Sequence, residues 1–144
     1  MSSAIFAQGT LLKIGDGATP VEGFTTIAEV NDLGGPALAL EAVDVTNHSS
    51  LEGWKEFIGG LLDAGEVSFS INYQPTHATH NNTTGLIRDM RTRTKRNFQL
   101  IFTDSGNTTW SFTALVTGFE PTEPVDAQLT ADVTLQITGK PTLV

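Results

Sequence analysis

Cysteine is absent from the sequence. That excludes disulfides and thiolate metal sites, and it fits a reducing compartment. Basic residues are scarce: 8 Lys and Arg stand against 16 Asp and Glu, for a net charge of −8. A chain this acidic does not hold nucleic acid through general phosphate contacts. No apolar run approaches the length of a membrane span. The start, Met-Ser-Ser-Ala-Ile-Phe-Ala-Gln, has neither a basic region nor a long apolar stretch, so no signal peptide is expected. Catalytic patterns are missing too: there is no G-x-S-x-G, no phosphate-binding glycine loop and no calcium loop. His77-x-x-His80 has no nearby Cys or Glu and no clear helix beneath it, so it reads as a polar loop rather than a zinc site. Glu41 and Asp44 lie close together without the aromatic and polar surroundings of a hydrolase pocket. No catalytic residue, metal or cofactor is expected.

What is present is β structure. At 144 residues and 39% hydrophobic content the chain is one domain, long enough to bury a core. From Val67 to Tyr73 it alternates strictly, with Val67, Phe69, Ile71 and Tyr73 on one face and Ser68, Ser70 and Asn72 on the other. A longer alternation runs through Ala127–Thr138, where Thr130, Asp132, Thr134 and Gln136 interleave with apolar residues. Trp110–Thr117 alternates as well, as the partner of a strand at Asn97–Thr103 across a turn at 104–108, and a proline-marked break is expected over Glu120–Pro124. Thr10–Ile14 and Phe24–Val30 are shorter candidates, Asn31–Pro36 reads as a turn, residues 1–10 as an N-terminal arm, and Lys140–Val144 as a tail. In Ala37–Thr46 the phase changes: Leu38 and Leu40 set one face, Val43 and Val45 the other, which predicts a bulge near Glu41–Ala42.

The polar faces of the long strands are Ser, Thr, Asn, Gln and Asp, with no Lys or Arg. A face made only for bulk solvent usually mixes both signs of charge. The cations are concentrated elsewhere. Arg88, Arg91, Arg93, Lys95 and Arg96, with Asp89 the only acid among them, give 88–96 a charge of +4 and leave −12 for the rest. This segment falls in the one expected helix, 83–95, capped by Thr83 or Thr84. Leu86, Ile87 and Met90 lie on its apolar side, and Arg88, Arg91 and Lys95 on its outer basic side.

Residues 47–64 read as a long loop between strands, unusually apolar for a surface segment: Leu51, Trp54, Phe57, Ile58, Leu61 and Leu62. Two readings stand. In one, a short helix covers the mouth of the domain's own core, although Gly53, Gly59 and Gly60 weigh against a stable helix. In the other, the loop is an adhesive arm that packs on a neighbouring copy.

These features together define the fold class as mainly β: a sandwich or barrel subunit with one flanking α-helix and a long inter-strand loop. The strand end Asp44-Val45-Thr46, the long loop, Leu61-Leu62-Asp63-Ala64-Gly65-Glu66 leading into Val67–Tyr73, the single helix and the long C-terminal strand carry a resemblance. The chain resembles the tail tube (major tail) proteins of long-tailed bacteriophages over nearly its whole length, by order of elements rather than by invariant residues.

The resemblance implies a structural virion protein, made in the host bacterial cytoplasm and placed in the virion tail. It implies hexameric rings that stack into a tube, four strands per subunit entering a continuous inner β-barrel, and genomic double-stranded DNA passing through without specific binding. Partners implied are the protein itself, a tape-measure protein, the tail terminator and the baseplate or tail-tip proteins. Twenty-four strands at ~4.8 Å, enlarged by tilt, close at a radius of roughly 20–26 Å, wide enough for duplex DNA once side chains are subtracted. A lumen should not grip a polyanion. Glu41, Asp44, Ser68, Ser70, Asn72, Thr130, Asp132, Thr134 and Gln136 are therefore expected to line it. Leu51, Trp54, Phe57, Ile58, Leu61 and Leu62 are expected between rings or subunits. Two other classes stay open: the tube of a secretion or injection machine, and a monomeric β-sandwich binding module of the adhesin or carbohydrate-binding kind.

Overall fold

A computed structural model describes residues 3–5 and 7–143. Met1, Ser2 and Phe6 of the expected arm and Val144 of the expected tail lie outside the described residues. The elements run β1 Leu11–Gly15, β2 Phe24–Thr26, β3 Val30–Gly34, β4 Ala39–Asp44, β5 Phe57–Asp63, β6 Glu66–Asn72, α1 Leu86–Arg91, β7 Arg96–Ile101, β8 Thr109–Thr122 and β9 Thr130–Leu143. Seven strands form one antiparallel sheet in the order β2-β1-β7-β8-β9-β6-β3, and β4 and β5 form a separate hairpin.

The two 14-residue strands let one sheet make both layers. Their register shifts twice, between Ser111 and Thr113 and between Val116 and Gly118. In the second shift Thr117 is the extra residue, and such bulges bend a strand and sharpen its twist. The apolar side chains of both ends, Leu12, Phe98 and Leu100 from one and Val67, Ile71 and Val133 from the other, then meet in a single core. Phe98 stacks on Phe112 with centroids 5.9 Å apart, and Tyr73 meets Phe119 edge-on at 5.1 Å.

Several expected boundaries move. The turn expected at Asn31–Pro36 is mostly strand β3, with an irregular register between Val30 and Leu33. β8 passes through Pro121 to Thr122, because this half of the strand pairs only with β9 and can spare an N–H on its open side. The expected tail continues β9, with Thr142 opposite Ser111 and Leu143 opposite Trp110.

The helix is six residues, not 83–95, and its N-cap is Gly85 rather than Thr83 or Thr84. Asn81 Oδ1 accepts from the N–H groups of Thr83, Thr84 and Gly85 and holds them in a turn. At the other end Arg93 takes a left-handed φ of 58°, Arg93 N donates to Met90 O and Thr94 N to Asp89 O. That is a Schellman stop, here with arginine in the place glycine usually takes. The helix is anchored by fully buried Asp89, whose carboxylate accepts from Arg96 Nη1 at 2.9 and 3.1 Å, while Arg96 Nε reaches Gly15 O at 2.8 Å.

The expected loop 47–64 is corrected in the same way. Its second half, from Phe57, is β5, paired with β4. Only 45–56 joins them, with a single 3-10 turn at Leu51–Gly53. No part of it covers the core as a helix.

Candidate functional site: a polar sheet face and a projecting hairpin

Strand register brings seven of the nine residues expected in a lumen onto one sheet face. Ser68 lies opposite Thr134, Ser70 opposite Asp132, Asn72 opposite Thr130, and Gln136 opposite Glu66. Their neighbours in sequence, Val67, Phe69, Ile71, Ala131, Val133 and Leu135, are all buried in the core. The face is therefore the reverse side of the hydrophobic layer. Ser70 Oγ donates to Asp132 Oδ1 at 2.8 Å, Asn31 Nδ2 to Asn72 Oδ1 at 2.9 Å, and Asn72 Nδ2 to Glu29 Oε2 at 3.0 Å. Gln136 is used differently: its amide donates to Gly65 O at 3.1 Å, where the hairpin leaves the body.

Two outer strands complete this face with residues that sequence reasoning missed. β3 adds Asp32 and Gly34, which share a shallow trough with Ser68, Ser70, Asp132 and Thr134. The second half of β8 adds Gly118, Glu120 and Thr122, opposite Thr134, Asp132 and Thr130. The four strands β8, β9, β6 and β3 thus present Ser, Thr, Asn, Gln, Gly, Asp and Glu, with no Lys or Arg on the face. Both outer edges are open. β3 ends the sheet, and β8 beyond Ala114 has β9 on one side only. The signal in the sequence was the resumption of alternation one step out of phase, at Phe119.

Glu41 and Asp44 are not brought to this face. They lie on β4, in the hairpin. The Asp44 carboxyl is held below its usual range by hydrogen bonds from the Thr46 side chain and backbone. The expected bulge is present as a register shift between Leu40 and Ala42, with the extra residue on β5, where Gly60 and Leu61 face Glu41. All of β4 and β5 is exposed, and so are Leu51 and Trp54 in the connection. Gly35 and Gly65 form the neck. Both have φ above +70°, and a Cβ on either would strike backbone, of Glu66 and Ala37 respectively.

The three outer cations separate. Arg88 turns to Asp89 at 3.0 Å, Arg91 Nε donates to Asn82 Oδ1 at 3.0 Å, and Lys95 lies in the exposed turn after the helix. The two expected histidines of the 77–80 loop serve structure. His80 is buried, accepts from Gln74 N at Nδ1 and bonds Ala28 O through Nε2 at 2.8 Å. Burial pushes its imidazole below its ordinary value. Among the described residues no group of three His, Cys, Asp or Glu side chains could hold a metal ion, and no helix is long and apolar enough to cross a membrane.

Residues 14–144 match the sequence profile of the family described as lambda phage tail tube protein, TTP. Among solved structures the chain is similar to one from the virion of a native gene transfer agent particle, with 19% identity, a TM-score of 0.75, and 98% of this chain and 99% of that one covered. It is similar to one from the tail of an empty gene transfer agent particle refined with C6 symmetry, at 20% identity and TM-score 0.74, with 98% and 99% covered. A third comes from an extracellular contractile injection system, the PVC sheath/tube terminator in its extended state, at 12% identity and TM-score 0.73, with 100% and 99% covered. No curated protein matches the sequence at a significant level.

Proposed function

The chain belongs to the lambda phage tail tube protein family, as a structural protein of the virion tail and not an enzyme, and from that premise we propose how it builds the tube. Six copies close their β8-β9-β6-β3 sheets into one barrel, and the rings stack. The observation that carries this is a four-stranded sheet with a cation-free polar face and two open edges. Open edges are an aggregation hazard on a lone domain, and pairing β3 of one copy with the second half of β8 of the next removes them.

The polar face is then the lumen, lined by Ser68, Ser70, Asn72, Thr130, Asp132, Thr134 and Gln136, with Asp32 and Glu120 added. Such a wall repels phosphate weakly and offers no ammonium or guanidinium to arrest a sliding duplex. Glu41 and Asp44 belong to the hairpin, which with Trp54, Phe57 and Ile58 makes contacts between subunits or rings. A tape-measure protein, a terminator and tail-tip proteins are the partners that a tube of set length requires.

A carbohydrate-binding module is disfavoured, since Trp110 packs against the core and Trp54 is the only exposed tryptophan of the two in the chain. Negative-stain electron microscopy across protein and salt concentration tests the reading. Rings or tubes with a stain-filled channel are expected. Monomers that stay inert even when offered a tail-tip nucleus overturn it.

A further inference from the structure

The hairpin is apolar on both faces. Register puts Leu40 opposite Leu62 and Val43 opposite Ile58. The positions a Cβ would take confirm the sides: on Gly59 it would touch Leu40, and on Gly60 Val43 and Glu41. One face therefore carries Leu40, Leu62 and Phe57, with a single acid, Asp44, opposite Phe57 at its far end, and the other carries Val43 and Ile58 with two acids, Glu41 and Asp63, at its rim. A two-stranded ribbon lying on its own domain, or on one partner, needs only one apolar face and turns a polar one to water. Here Leu62 is 81% exposed on one side and Ile58 56% on the other.

Charge selects what covers the rimmed face. The hairpin and its ends carry Glu41, Asp44, Glu52, Glu56, Asp63 and Glu66 against Lys55 alone, a net −5. Outside the hairpin and 88–96 the chain carries nine Asp and Glu against two isolated cations, Lys13 and Lys140, so most of the remaining surface repels it. The exception is the turn around α1, where Arg91, Arg93 and Lys95 are exposed and, among the described residues, have no carboxylate in ion-pair distance. Complementary patches of this kind set which surfaces meet and in which orientation.

We infer that each hairpin is inserted between two other copies of this chain, one on each face, with the acid-rimmed face over the basic turn Arg91–Lys95 of one of them. This rests on the tube reading above. Each subunit is then held by a clamp on both sides of one ribbon, and salt weakens one side of the clamp more than the other.

The cysteine-free background allows a direct test. Single variants Leu62→Cys and Ile58→Cys are labelled with a maleimide, free and in assembled tubes. Both should react freely in the subunit, and both about tenfold slower or more in tubes. A position on either face that labels as fast in tubes as in the free subunit overturns the inference. Hydroxyl-radical footprinting of wild-type tubes reads the same two faces with no substitution, so a variant that fails to assemble does not remove the test. Carbodiimide coupling in tubes should join Lys95 to Glu41 or Asp63 of another copy. Cross-links from Lys95 only to acids outside the hairpin overturn the docking orientation. Wild-type protein that forms no tubes even with a nucleus indicts the tube reading itself, whereas tubes with one bare hairpin face indict only this inference.

Discussion

The polar sheet and the hairpin are both antiparallel β structure, yet one is finished within the subunit and the other is not. β6, and β9 as far as Ile137, turn their apolar side chains into the subunit's own core and their polar ones outward. β4 and β5 bury nothing on either side. Their residue types are similar; what differs is whether the chain supplies its own cover. The same apolar side chain therefore contributes to folding in one region and to association in the other. That makes the effect of a substitution on free-subunit stability a way to separate the two roles.

The largest effect should come from matched leucines. Leu135→Ala, at a position with no exposed surface, should cost about 2–5 kcal/mol in urea unfolding of the free subunit. Leu62→Ala, in the hairpin, should change it by no more than about 0.5 kcal/mol and should instead slow polymerisation. Equal costs would erase the distinction between the two regions.

Legibility in the sequence follows the same line. Alternation was readable in Val67–Tyr73 and Ala127–Thr138 because one face is buried by this chain. It failed for β5, Phe-Ile-Gly-Gly-Leu-Leu-Asp, because neither face is, and a ribbon awaiting cover on both sides has no polar phase to read. Bulges account for the other misses. The extra residue in β3 places Val30 and Leu33 three apart, Thr117 inverts the phase before Phe119, and the slip at 139–141 made the end of β9 look like a tail. In β4 the phase change at Glu41 was visible, but its placement among lumen residues was not decidable without knowing that the hairpin leaves the sheet. The helix was read too long because its stop is an arginine in a left-handed conformation, which composition does not reveal.

A smaller effect should arise where the two regions join. Gly65→Ala forces a left-handed φ on alanine and drives its Cβ against the Ala37 carbonyl, at a cost of about 1–3 kcal/mol. Because Gly65 O also accepts from Ile137 N and the Gln136 amide, chemical shifts along β9 near 136–137 should move together with those of the hairpin. Shifts confined to the hairpin would mean the neck does not couple it to the sheet.

Smaller again is a pH term on the polar sheet's side. His80 ties the 74–80 loop to Ala28, next to edge strand β3, in its neutral form. Its folded pKa lies below its unfolded value, so the unfolded chain binds the extra proton first. His80 should therefore leave stability flat above about pH 6.5, the ordinary histidine value, and reduce it as pH falls below that. Asp16, held low by hydrogen bonds from Ala18 and Gly23, and Asp104, held low by Thr108, titrate in a lower window and leave this one clear. Urea midpoints at pH 7.5 and 5.5 should differ for the native chain and differ less for His80→Gln. An unchanged difference would assign the slope to other groups.

The smallest effect on stability should carry the largest functional consequence. Ser68 is exposed on the polar face, opposite Thr134, and its side chain contributes nothing to the core. Ser68→Lys should leave free-subunit stability within about 0.5 kcal/mol and leave assembly intact. In a six-fold ring it would place six ammonium groups on the lumen wall. Tubes carrying it should retain fluorescent duplex DNA at low salt and release it as salt rises, since each neutralised phosphate frees counterions. Ser68→Gln, equally polar but uncharged, should behave as wild type. If Ser68→Lys tubes pass DNA as freely as native ones while Arg91→Glu at the basic turn alters passage, the polar sheet faces outward and the assignment of the two surfaces is reversed.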